Sequence, residues 1–228
     1  MSEWQTVLQI REDAARKLRE EGAIPGPYVA ISRQYGCSGF ALGLLLAEIL
    51  TDEAEPGKAW RTYGRDILEQ LASETNLATD LVEELKVRKP TLLVDFFRSL
   101  TGKNIPSGYE IRNRITAIVR GLAFEGYVII VGQGSAGATA DIDNGISVRL
   151  EAPLAWRVEE ICKREGCQPE QARLSIRKHK KERQYLRKIY AMRFPREPQF
   201  DLAYDMSRFT LTQVAQHVAY MMKLKHIL

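Results

Sequence analysis

Hydrophobic positions along the 228 residues switch between helical and strand spacing, and each switch marks a boundary between predicted elements. Trp4, Val7, Leu8, Ala14, Ala15 and Leu18 recur at helical intervals between Glu3 and Glu21, and the pattern stops at Gly22, where Gly-Ala-Ile-Pro-Gly-Pro follows. This predicts an N-terminal helix within residues 1–26 and a domain over residues 27–228. Tyr28 to Ser32 (YVAIS) reads as a short strand, Gly36, Cys37, Ser38 and Gly39 as a turn, and ALGLLLAEIL as an apolar helix. A brief apolar and aromatic piece from Ala59 to Tyr63 reads as a second strand. From Arg65 to Phe124 the pattern is almost wholly helical, with breaks at Asn76, Pro90 and a Gly-Lys-Asn-Ile-Pro-Ser-Gly loop, so a helical lobe is expected over roughly residues 63–125.

Strand signals return at Tyr127 to Gly132 (YVIIVG) and at Ile146 to Ala152 (ISVRLEA). The first is nearly all apolar, as a central parallel strand buried on both faces requires. Pro153 opens a helix through Arg164, a basic helix runs from Pro169 to about Met192, FDLAYDMS supplies a last strand, and a final helix spans Leu211 to Leu224. Parallel strands need crossover connections, so this alternation predicts a doubly wound α/β sheet rather than a sandwich or a bundle.

Composition changes little in that picture. Hydrophobic residues are 45% of the chain and charged residues 27%, enough to build a core without disulfides. Cys37, Cys162 and Cys167 form neither a disulfide framework nor a zinc spacing, and His179, His217 and His226 form no constellation. The N-terminal residues carry charges where a signal peptide would be apolar, and no apolar run is long enough to span a bilayer, so a soluble, cytoplasmic protein without membrane contact is expected.

Charge is more informative by place than in total. The net +4 is too small to argue for nucleic-acid binding by the whole surface, yet residues 177–196 hold nine basic side chains against Glu182. Taken alone, such a run reads as a solvated helix face. Tyr185, Tyr190 and Phe194 are too few and irregular to make it a stacking platform for nucleic acid.

The strand, small-residue turn and helix at residues 28–50 place backbone N–H groups and a helix N-terminus at one point, which suits a phosphate. The turn does not follow G-x-x-x-x-G-K-[ST]. Laid over that loop, Arg33 falls at the first glycine, Ser38 at the second, Gly39 at the lysine and Phe40 at the magnesium-binding hydroxyl. The bland alternative is an ordinary strand-to-helix turn. Cys37 reads as a small residue in a serine's place, and Asp66 and Asp201 are the carboxylates considered for metal or base contacts, with the metal ligands left unassigned.

ISRQYGCSGFALG resembles the ISR-[EQ]-[FY]-G-S-G-G-R-E-I-G loop of the cytidylate kinase-like family, with Phe40 where that family commonly has a basic residue. YVIIVGQGS is similar to the family's VIVGRGA, and EAPLAWRVEEICKREG to its APLEDRIKRIMEREG, so that the resemblance covers roughly residues 28–221. It implies a P-loop NTPase-like three-layer domain with a central parallel sheet, a helical acceptor lobe and a basic lid over about residues 168–196.

The implied activity is phosphoryl transfer from a nucleoside triphosphate to cytidylate or a related small acceptor, with ATP (or another nucleoside triphosphate) and Mg²⁺ as cofactors. On this reading Arg33, Gly36, Cys37, Ser38, Gly39 and Phe40 bind the nucleotide phosphates. Arg157, Arg183 and Arg187 are the catalytic lid cations, and Arg65, Asp66, Arg112 and Gln133 meet the acceptor. Gln133 stands where the family places an arginine, and a neutral amide cannot neutralise an acceptor phosphate. A degenerate relative that binds a nucleotide or another anion as a sensor or partner-binding protein is the alternative. The N-terminal helix is then the expected surface for self-association.

Overall fold

The computed structural model describes residues 25–64, 119–132, 134–191 and 199–228, with the backbone alone at residues 182 and 184–191. Five strands form one sheet: β1 (Tyr28–Arg33), β2 (Arg61–Tyr63), β3 (Val128–Val131), β4 (Gly145–Glu151) and β5 (Leu202–Asp205). Their order is β2-β3-β1-β4-β5 and every pairing is parallel. The described helices between and after them are α1 (Gly39–Asp52), α2 (Ser135–Ala138), α3 (Leu154–Glu165), α4 (Pro169–Ala191) and α5 (Leu211–Leu224), and residues 119–125 are also helical.

The residues dictate the layering. β3 is apolar at every position and buried at every position, as a strand covered on both faces must be. β4 alternates instead, with Ile146, Val148 and Leu150 inward and Ser147 and Arg149 on the other face. Register puts Val29 beside Ile129 and Ile146, and Ile31 beside Val131 and Val148. These side chains meet Leu42, Leu46 and Leu50 of α1 and Val214, Val218 and Met222 of α5 in one core. Each such leucine contributes about 1.5–3 kcal/mol by burial. Thr210 and Gln213 close a capping box that starts α5.

α1 approaches the sheet closely at Gly43, where an added Cβ would meet the Thr62 methyl at 2.7 Å, and Thr62 Oγ1 donates to the Gly43 carbonyl at 2.8 Å. On the opposite face α2 meets β1, and Ser135 Oγ donates to the Ile130 carbonyl. Near the amino ends of the strands the Tyr28 hydroxyl donates to the carbonyls of Thr139 (2.9 Å) and Ile142 (2.7 Å), and the Tyr28 ring fills the space above Gly145.

The elements fall where hydrophobic spacing places them, with small shifts. Tyr127 takes a left-handed φ of 54° and stands before β3 rather than in it, and β4 begins at Gly145 and ends at Glu151. α2 is an addition, a single turn too short to leave a periodic trace. The expected N-terminal helix and nearly all of the expected helical lobe lie outside the described residues. Among the described residues no helix is long and apolar enough to cross a membrane.

Candidate functional site

The β1–α1 loop sits beyond the carboxyl end of β1, next to the point where the chain's path from β1 divides toward β3 on one side and β4 on the other. In open parallel sheets such a crevice receives ligands. Gln34 ties the loop to β4: its N–H donates to the Leu150 carbonyl at 2.9 Å and its side-chain oxygen accepts from Ala152 N at 3.2 Å. Gly36 takes φ 101° and Ser38 the left-handed φ 45°, so the chain reverses and enters α1 without a side-chain cap. The first helical bond runs from Leu42 N to the Ser38 carbonyl at 3.1 Å. The N–H groups of Gly39, Phe40 and Ala41 precede it and have no intrahelical acceptor, and the first turn carries no acidic side chain.

Arginines from distant segments converge on this loop. Arg157 of α3 donates to the Ala152 carbonyl (3.0 Å) and to the Tyr35 carbonyl (3.4 Å), and its Cβ lies where a Cβ on Gly36 would come within 2.9 Å. Gly36 is therefore required both for its backbone angle and for this close approach. Arg183 of α4 reaches across to the Arg33 carbonyl at 2.6 Å. Arg149, on β4, donates to Ser32 Oγ at 2.8 Å and pairs with Glu151 at 2.9 Å. All three charges act on the Cys37 thiol, but burial outweighs them and pushes it up to about 11. Cys37 thus belongs to the core beneath the loop rather than to a reactive thiolate.

Tyr35 fastens the loop to the α3–α4 hairpin. Its ring stacks on His179 (4.1 Å between centroids, 25° between planes), its hydroxyl donates to Glu165 at 3.1 Å, and it packs against the small core of Val158, Ile161, Ala172 and Ile176. Burial raises the Tyr35 pKa, and the Arg164 hydrogen bond holds the Glu165 carboxyl below its ordinary range.

Residues 28–208, which include the β1–α1 loop, α3 and α4, match the model of the cytidylate kinase-like family. The chain belongs to the cytidylate kinase-like family. Among solved structures, an uncharacterized protein from Eubacterium ventriosum is 17% identical, with a TM-score of 0.59 over 86% of this chain and 98% of that one. Shikimate kinase from Bacteroides thetaiotaomicron is 11% identical (TM-score 0.47, 86% of this chain and 98% of that chain). Shikimate kinase from Acinetobacter baumannii in complex with shikimate is 14% identical (TM-score 0.45, 88% and 94%). A search of curated proteins gives no match. The sheet order, the loop after β1 and the family membership together define a P-loop NTPase-like α/β fold.

Against the family's expected chemistry, the described site departs at the metal. The hydroxyl that holds magnesium in P-loop proteins is replaced by Phe40, whose ring is 44% exposed and lies across Gly64 at the end of β2, 2.7 Å from a Cβ placed there. Glu151, at the end of β4, is held by Arg149, and Asp205, at the end of β5, accepts from Ser207 N and Oγ. Asp201 is at the other end of the sheet, accepting from Ser147 N and Oγ and from Lys225. The described residues therefore do not fit a protein-held magnesium site, and no group of three potential ligands occurs among them.

The loop residues Arg33, Gly36, Cys37, Ser38, Gly39 and Phe40 come together with Arg157 and Arg183. Arg187 lies on the α4 backbone with its side chain outside the described residues, as Arg65, Asp66, Arg112 and Gln133 are in full. Arg149 escapes sequence reasoning because alternation marks it only as an outward strand residue. Its signal is positional: it is the register partner of Ser32, immediately before Arg33.

Proposed function

We propose that this protein binds the phosphates of ATP or another nucleoside triphosphate at the β1–α1 loop and transfers a phosphoryl group to cytidylate or a related small acceptor. The observation that carries this reading is the arrival of Arg157 and Arg183, from two different helices, at the carbonyls of Tyr35 and Arg33 in that loop. Phosphoryl transfer needs positioning and neutralisation of charge as it develops. The N–H groups of Gly39, Phe40 and Ala41 supply fixed donors for phosphate oxygens. Arg157 and Arg183 stand over the same loop as the cations that a charged transition state requires. Arg187 is the proposed third cation, and Arg65, Asp66, Arg112 and Gln133 are proposed for the acceptor. No step is assigned to a metal, because Phe40 occupies its usual ligand position.

Coupled ADP formation across a panel of nucleoside monophosphates tests this. Turnover with one acceptor, abolished in Arg183→Ala, is the expected result. No turnover above that control overturns transfer.

The second reading is nucleotide or anion binding without transfer, as a sensor or partner-binding protein. Phe40 favours it, since an apolar ring packed on Gly64 stands where the family commonly has a basic residue. Calorimetry that records nucleotide binding in a protein without turnover selects this reading, and self-association through the N-terminal helix is then tested by comparing the mass in solution of the full chain and of a chain lacking residues 1–24.

A further inference from the structure

The geometry points to Arg33 as the residue that supplies, from the end of β1, the phosphate-binding charge that the loop lacks at Gly39. This rests on the nucleotide-binding reading above and adds to it a division of labour between two positions. In P-loop proteins a lysine on the first turn of the helix after the loop reaches the β- and γ-phosphates. Here that position is Gly39, and the Arg33 side chain lies close against it. A Cβ built on Gly39 falls 3.1 Å from Arg33 Cγ and 3.2 Å from Arg33 Cδ, so the aliphatic stem of Arg33 lies directly over the start of α1.

The stem continues toward the turn after β3. A Cβ on Gly132 would overlap the Arg33 guanidinium, and Gly132 has the left-handed φ of 78° that favours glycine there. Arg33 thus crosses the crevice between the carboxyl ends of β1 and β3, held between two glycines, with its own carbonyl taken by Arg183. The charge of the ordinary loop lysine is carried in the same crevice by a residue six positions earlier in the chain. The two arrangements crowd each other: a lysine at position 39 would set its Cβ tightly against the Arg33 stem, which must yield by a few tenths of an ångström to accept it.

This crowding makes the idea testable by exchange. ATP affinity of the full chain is measured by calorimetry for the wild type, Arg33→Met, Arg33→Gly, and Arg33→Gly combined with Gly39→Lys, with thermal unfolding of each. Arg33→Met keeps an apolar stem over Gly39 and removes the guanidinium with its charge and its N–H donors. The expected result is an unfolding temperature near the wild type and ATP binding weakened at least about tenfold. Arg33→Gly is expected to lose at least as much. Adding Gly39→Lys is expected to recover affinity to within roughly threefold of the wild type.

Wild-type affinity in folded Arg33→Met overturns the inference, as does a double variant that binds no tighter than Arg33→Gly alone. Absence of ATP binding by the wild type overturns the nucleotide-binding reading and this inference with it, so the two failures are distinguishable.

Discussion

The two ends of the sheet differ in what their arginines meet. At the amino ends of the strands, charged side chains are matched with each other: Asp201 takes Lys225 and both donors of Ser147, and Arg120 grips both oxygens of Asp141 while donating to the Ala138 carbonyl. At the carboxyl ends Arg149 is likewise paired with Glu151, whereas Arg157 and Arg183 donate to the backbone carbonyls of Ala152, Tyr35 and Arg33. A carbonyl orients a guanidinium without cancelling its charge, whereas a carboxylate does both. Arginine thus meets carboxylates at one end and, through Arg157 and Arg183, backbone carbonyls at the other, beside the loop proposed above to receive an anion.

Changes at the carboxyl end are expected to move affinity more than stability, and changes at the amino end the reverse. The largest effect is expected from Arg157→Ala, which should weaken ATP binding by roughly tenfold to a hundredfold, measured by calorimetry. Loss of stability with unchanged affinity in that variant would break the contrast. Next is Tyr28→Phe, which strips one hydroxyl from two carbonyls and should cost about 1–2 kcal/mol in urea unfolding while leaving ATP affinity within about twofold.

A third test uses alkali. The folded protein keeps the Cys37 proton up to about 11 and the Tyr204 proton up to about 12, because burial disfavours both anions. An unfolded chain releases them near their ordinary values of 9.0 and 10.0, so the folded state binds more protons over that range and stability falls as pH rises. Denaturation at a series of pH values should show the decline beginning near pH 9, with its first part flattened in Cys37→Ala. The smallest effect is expected from Asp201→Asn. Burial opposes ionisation of Asp201, but the bonds from Lys225 and Ser147 hold its carboxyl below the ordinary value. The pair is partly exposed, so the loss should be about 0.5–1 kcal/mol near neutral pH. It should vanish as acid protonates the carboxyl in the wild type, a sign that unfolding titrations at low pH can check.

Most of the described fold is readable from the sequence because burial on one or two faces leaves a period in the residues. β3 and α1 are apolar enough to be assigned from YVIIVG and ALGLLLAEIL alone, while α2 has too few residues for any period. The site is legible only in part. Gly36, Ser38 and Gly39 mark a turn before a helix, and Arg157 and Arg183 can be set beside it by resemblance. The path of Arg33 cannot be read this way, since it depends on Gly132 and Gly39 leaving room in three dimensions. Arg149 gives no local sign either, because its role follows from which strand lies next to β1. Motifs encode neighbours along the chain, and these contacts are between neighbours across the sheet.

Tyr35 gives the loop a mechanical property. Its ring packs against the small core inside the α3–α4 hairpin, yet it belongs to the β1–α1 loop. The hairpin cannot swing away while the loop stays still unless that ring is withdrawn from Val158, Ile161, Ala172 and Ile176. Separating the hairpin from the loop is then a local unfolding event of a few buried residues, with a free energy well below that of the whole domain. Amide exchange in the loop and in the hairpin should rise and fall together, on one clock.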